Sequence, residues 1–158
     1  MTSLFPCFDM TREKLLVGRC SLPGYCYHIT ICTHRRRPWF GSFEHARIVV
    51  QDMKRLHQEQ LMMSVAWVLM PDHLHWLFQL GENTELSTVI KLLKGRTAKH
   101  LNELHHDQGH IWQKGFHDHA VRKDEDLRGI ARYIVANPLR AGLVQRVGDY
   151  PWWDAMWL

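Results

Sequence analysis

The chain has 158 residues, 46% of them hydrophobic, enough to bury one sizeable core without disulfide or metal staples. No stretch approaches the ~20 apolar residues of a membrane span. Met1 to Met10 lack the basic flank and apolar run of a secretory leader, so a cytoplasmic protein is expected. A formal charge of +4 with twelve histidines is compatible with a polyanionic partner without demanding one. The four cysteines (Cys7, Cys20, Cys26, Cys32) form no C-x-x-C, which favours free thiols over a zinc ribbon.

Residues 1–24 read as an irregular N-terminal arm carrying Arg12, Lys14 and Arg19, closed by the turn Leu22-Pro23-Gly24. Tyr25 to Thr33 is rich in aromatic and β-branched residues and reads as a strand, with Tyr25, Tyr27, Ile29 and Ile31 on one face. His34-Arg35-Arg36-Arg37-Pro38 is a basic loop, equally suited to a solvated turn or to phosphate contact. From Ser42 to about Gln60, Ala46, Val49, Val50, Met53 and Leu56 recur at helical spacing. Leu61 to Met70 is a nearly unbroken apolar run, read as a central strand. Met70-Pro71-Asp72 is a tight connection, so the next strand should close a hairpin with it.

That next strand begins at His73. Its period-two alternation puts Leu74, Trp76, Phe78 and Leu80 on a wholly apolar face and His73, His75, Leu77 and Gln79 on the other. Two neighbouring imidazoles suit one metal ion, although an isolated His-x-His pair is as readily a solvated strand feature. A second helix follows, capped near Thr84, with an inner surface of Leu86, Val89, Ile90, Leu93, Ala98 and Leu101. Its basic set Lys91, Lys94, Arg96, Lys99 and His100 reads as a solvated face or a binding face. Ile111 to Arg122 reads as a fourth strand of irregular pattern. A third helix starts near Asp124 and runs to Asn137, before Pro138. The tail 147–158 holds Trp152, Trp153 and Trp157, three of the seven tryptophans, and either seals the sheet or limits access to the site.

The order β, α, β, β, α, β, α predicts a single α+β domain over 1–158. The expected plan is a ferredoxin-like or RRM-like antiparallel sheet of four strands, with helices packed mainly on one face. On the third helix Leu127, Ile130, Ala131, Ile134 and Pro138 form an apolar arc for the sheet. Tyr133 and Asn137, four residues apart, stack at the rim of that arc. Two imidazoles, an amide oxygen and a phenol together offer N/O ligands for a phosphate-polarising divalent ion and a nucleophile that stores the cleaved bond as phosphotyrosine. No nucleotide cofactor is then needed.

These residues resemble the HUH single-tyrosine transposases, and within them the REP-associated tyrosine transposases. The resemblance rests on four stretches in order. They are Gly24 to Thr30 with Arg36 to Phe40; Met70-Pro71-Asp72-His73-Leu74-His75; Phe116 to Arg122; and Ala131 to Val144. It implies that His73 and His75 are metal ligands, that Asn137 is the third ligand, and that Tyr133 is the nucleophile. It also implies Mg²⁺ or Mn²⁺ as cofactor and cleavage of single-stranded DNA to a 5′-phosphotyrosine and a free 3′-OH. The implied partner is hairpin DNA of REP/BIME type, bound by a cytoplasmic, nucleoid-associated monomer or homodimer. Asp118, His119 and Arg122 match a motif near that site, supporting the ligands or contacting DNA. Arg12, Arg19, Lys91, Lys94, Arg96 and Lys99, with Arg36 of the basic loop, would hold the DNA backbone. A histidine-triad phosphohydrolase fails because position 77 is Leu, and a zinc deaminase because its H-x-E and P-C-x-x-C are absent. A non-catalytic hairpin-binding module on the same fold is the alternative.

Overall fold

Alternation along the strands builds the sheet. The computed structural model describes residues 21–122 and 125–157. Arg12, Lys14 and Arg19 of the arm, Cys7 and Cys20, and Asp124 as the start of the third helix lie outside them. Among the described residues the main elements are β1 (Cys26–Cys32), α1 (Phe43–Gln58), β2 (Met62–Met70), β3 (His73–Leu80), α2 (Leu86–His105), β4 (His117–Ala120), α3 (Leu127–Val135), α4 (Asn137–Arg140) and β5 (Trp153–Ala155). The strands form one antiparallel sheet in the order β4-β1-β3-β2-β5. The α+β plan is as expected; the fifth strand is an addition, contributed by the tail.

The two faces are covered differently. Tyr27, Ile29 and Ile31 of β1 join Leu74, Trp76, Phe78 and Leu80 of β3 in a core closed by Ala46, Val49, Met53 and Leu56 of α1 and Val89, Ile90 and Leu93 of α2. The two long helices therefore share one face. Trp76 is fully buried, and its indole Nε1 donates to Ser64 Oγ at 2.9 Å, so its polar atom is satisfied where a bare N–H would be costly. On the opposite face Leu77, Val68, Met70 and Ala66 pack against Ala131, Ile134 and Val135 of α3 and Ala155 of β5. The register slips between Ser64 and Ala66 of β2, and both Val65 and Ala66 enter this second core, as a bulge permits. The strand carrying the histidines is thus fixed from both sides.

Local chemistry sets the boundaries. Two residues, Pro71 and Asp72, join β2 to β3, with Met70 opposite His73. Gly81 leaves β3 so close to the turn before β2 that a Cβ would lie 2.7 Å from Gln60 O. The fourth strand is shorter than the expected 111–122. Ile111 and Trp112 turn into the long-helix core, where Trp112 Nε1 donates to Thr97 Oγ1; Trp112 keeps one isolated bridge to Thr33, and Gly115 adopts φ +70 before the continuous ladder begins at His117. The second helix is capped at Glu85 instead of Thr84. Asp126 caps α3 by accepting from Arg128 N at 3.0 Å. Pro138 does not end the helical path. It stands in the first turn of α4, where its missing N–H costs little. No described helix is long and apolar enough to cross a membrane.

Candidate active site

The site is built on the sheet face that α3 covers. His73 and His75 share that face with their ring centroids 4.9 Å apart. Each ring is held through Nδ1. Asp72 Oδ1 accepts from His73 Nδ1 at 2.7 Å, and Thr30 Oγ1, directly across from His75 on β1, lies 3.0 Å from His75 Nδ1. With both Nδ1 atoms so engaged, each Nε2 points away from its anchor, as in ligating histidines oriented by a carboxylate or hydroxyl. Burial, reinforced by the charges of His73, His28, Arg140 and Arg36, pushes His75 down to about 3, so this imidazole is neutral at pH 7.

Asp72 is itself braced. Arg36 Nε meets Asp72 Oδ2 at 3.0 Å, and Arg36 Nη1 donates to Cys32 Sγ. Arg35 and Arg36 both take positive φ, 54 and 55, an unfavourable conformation for non-glycine residues that this loop imposes on two arginines in succession. Arg36, expected at the DNA backbone, is half exposed and pairs with Asp72 beside the histidines. A further imidazole, His28, stands beside His75 with centroids 5.5 Å apart, and its buried Nε2 has no hydrogen-bond partner among the described residues. Burial, then the charge of His119, lowers its pKa.

Tyr133 and Asn137 come from the helical segment over the same face. Tyr133 is 56% exposed on α3, which buries Ala131, Ile134 and Val135 instead. Asn137 Nδ2 donates to Ile134 O at 2.8 Å and reaches Tyr133 O at 3.4 Å. Ile134 O would ordinarily accept from the N–H of residue 138, which is proline, so the Asn137 amide supplies the missing donor. The carboxamide nitrogen is thereby committed to the helix and Oδ1 is left as an acceptor. Among the described residues no group of three or more His, Cys, Asp or Glu could hold a metal ion. A metal site built on the histidine pair would take its third ligand from another residue type, and the Asn137 carboxamide oxygen suits a hard divalent ion.

The remaining expected residues are dispersed. Asp118, His119 and Arg122 line a cleft of about 380 Å³ at the β4 edge, with Tyr27, Leu86 and Phe116. His119 Nε2 lies 2.8 Å from Glu125 Oε2; despite partial burial, hydrogen bonds from His119 and Arg122 N hold that carboxylate below its usual pKa. Lys91, Lys94, Arg96 and Lys99 sit on α2, on the other side of the sheet from the histidines. Lys94 donates to the carbonyls of Gln113 and Gly115, Arg96 pairs with Glu59, and Lys99 lies 3.9 Å from Glu103. Asp72, Thr30 and His28 were missed by sequence reading. The signal for the latter two was present, since β1 alternation places His28 and Thr30 together on its polar face.

Comparison with known proteins identifies the family and the fold. The profile of the family described as IS200-like transposase matches residues 21–137. The chain belongs to the IS200-like transposase family. It is 34% identical over 89 residues to the REP-associated tyrosine transposase of Escherichia coli, covering 54% of this chain and 50% of that one. A Haemophilus influenzae protein named to the same group is 34% identical over 99 residues, 56% of each chain. The chain thus matches about half the length of these relatives. The solved structure of a REP-associated tyrosine transposase bound to a REP hairpin superposes with a TM-score of 0.74 at 24% identity, over 86% of this chain and 79% of the other. The resemblance read from the motifs is borne out, and so is the fold.

Proposed function

We propose that the protein is a metal-assisted endonuclease and strand transferase acting on single-stranded DNA at REP-type hairpins, in the cytoplasm and on the nucleoid. The observation that carries this reading is the pair His73 and His75, each anchored through Nδ1 with Nε2 left over, on the face across which α3 lays an exposed tyrosine. The description of a like-folded relative as bound to a REP hairpin supports the choice of hairpin DNA.

Mg²⁺ or Mn²⁺ held by His73 Nε2, His75 Nε2 and Asn137 Oδ1 would neutralise charge on the scissile phosphodiester. The Tyr133 phenol oxygen attacks phosphorus, its proton passing to solvent. The P–O3′ bond breaks, and the 3′ oxygen leaves and gains a proton as a 3′-OH. The product phosphotyrosine is again a phosphodiester, so attack by a 3′-OH can reverse the step and join strands without nucleotide energy. Asp72 and Thr30 keep both imidazoles in one orientation throughout, and much of the rate comes from such positioning.

The test is incubation with Mg²⁺ or Mn²⁺ and a labelled hairpin carrying single-stranded flanks, followed by denaturing electrophoresis. A covalent protein–DNA adduct is expected from the wild type and none from Tyr133→Phe. His73→Ala should abolish cleavage while hairpin binding survives. Binding without an adduct across varied hairpins would leave a non-catalytic hairpin-binding protein, and an adduct that persists in Tyr133→Phe would overturn the mechanism.

A further inference from the structure

The side chain that touches the Tyr133 ring is Arg140. Its guanidinium carbon lies over the ring, 3.9 Å from the centroid, and its Nη2 donates to the Tyr133 backbone carbonyl at 2.7 Å. One arginine therefore grips both the ring and the main chain of the same residue. It can do so because the helical path continues past Pro138 into α4, which brings its last residue back over Tyr133 two turns later. The phenol oxygen makes no hydrogen bond among the described residues, and the ring is more than half exposed. Without Arg140 little would hold it in one rotamer.

Building on the cleavage reaction proposed above, we propose that Arg140 is the positioning residue for the Tyr133 nucleophile. The stacked guanidinium fixes the ring plane, so the phenol oxygen meets phosphorus from one direction. Its Nε and Nη1, which make no bond among the described residues, leave a cationic edge beside the ring for a phosphodiester oxygen. A plain capping role is the competing account, because Nη2 also satisfies a carbonyl near the helix end. Lysine can supply a donor and a charge to that carbonyl but cannot stack a flat cation on the ring. Arg140→Lys therefore separates the two.

Two measurements decide it. In protein carrying ring-¹³C tyrosine, only four tyrosines contribute signals. The Tyr133 ring should be as ordered as the buried Tyr27 ring in the wild type and mobile in Arg140→Lys and Arg140→Ala. In single-turnover reactions with the hairpin, both variants should form adduct about 100-fold more slowly, the scale of a displaced reacting group. Hairpin affinity and thermal midpoint should be retained in Arg140→Lys. Equal ring order in all three proteins, or a wild-type adduct rate in Arg140→Lys, would overturn the assignment. If the wild type forms no adduct, the cleavage reading fails, while ring order still decides for or against the clamp.

Discussion

Asp72 and His73 are adjacent in sequence and bonded through their side chains, with Asp72 Oδ1 accepting from His73 Nδ1 at 2.7 Å and Oδ2 taking Arg36 Nε at 3.0 Å. The hairpin turn thus supplies the carboxylate that selects which His73 nitrogen is left for a ligand. Removing such an anchor typically costs about 10- to 100-fold in metal affinity. Asp72→Ala should weaken Mn²⁺ binding by that factor in titration calorimetry, with circular dichroism unchanged. Unaltered Mn²⁺ affinity would show that Asp72 does not orient the ligand.

Asn137 serves the helix with its nitrogen and has its oxygen to spare, and the two uses can be separated. Asn137→Asp keeps an oxygen ligand and loses the donor to Ile134 O, whose usual helical partner is absent at Pro138. Losing that side-chain bond should cost about 0.5–1.5 kcal/mol. The expected outcome is a lower urea midpoint with Mn²⁺ binding retained, whereas Asn137→Ala should lose both. Retained Mn²⁺ binding in Asn137→Ala would remove it from the ligand set.

Acid stability should report on His75. The unfolded chain takes up a proton there as pH falls through about 6.5, but burial and the surrounding positive groups delay uptake in the folded protein to about 3. The stabilisation is complete above about 6.5 and is lost progressively as pH falls toward about 3. His28, lowered chiefly by burial, works in the same direction. Urea midpoints followed from pH 7 downward should drop in the wild type and drop less in His75→Gln. Parallel profiles would mean that His75 does not dominate the acid limb.

The tail packs as part of the sheet. Trp153–Ala155 pairs with β2, the Tyr150 hydroxyl donates to Leu69 O at 2.6 Å, and Trp153 Nε1 donates to Val147 O. Burial raises the Tyr150 phenol to about 12, which keeps it a donor across the working range. Trp157 meets Arg128, near the start of α3. Truncation after Gly148 exposes the β2 edge and part of the α3 core, so soluble yield and thermal midpoint should fall without a gain in cleavage per folded molecule. A soluble truncated protein that cleaves faster would restore an access-limiting role.

The parts of the molecule governed by periodicity were readable from the chain. Leu74, Trp76, Phe78 and Leu80 declared one face of β3, and both long helices declared their buried stripes. His73, His75, Tyr133 and Asn137 were singled out in the same way, by face and by helical spacing. What escaped depends on side chains meeting main chain or distant partners. Trp112 leaves the strand pattern because Thr97 and the long-helix core capture it. Pro138, a helix stop by local rules, is tolerated because Asn137 replaces its missing donor. Arg36 is one of three exposed basic residues in sequence, and only the fold shows that it alone reaches back to Asp72.

The asymmetric dressing of the sheet has a practical consequence. The α1 and α2 layer holds most of the large buried side chains, whereas the histidines and Tyr133 occupy the opposite side with the short helix and the tail. The sheet thus stands as a partition between the larger core and the face that carries the histidines and Tyr133. A designer could repack the α1 and α2 layer without touching a side chain of the candidate site, whereas changes on the opposite face would alter the site and its own smaller core together.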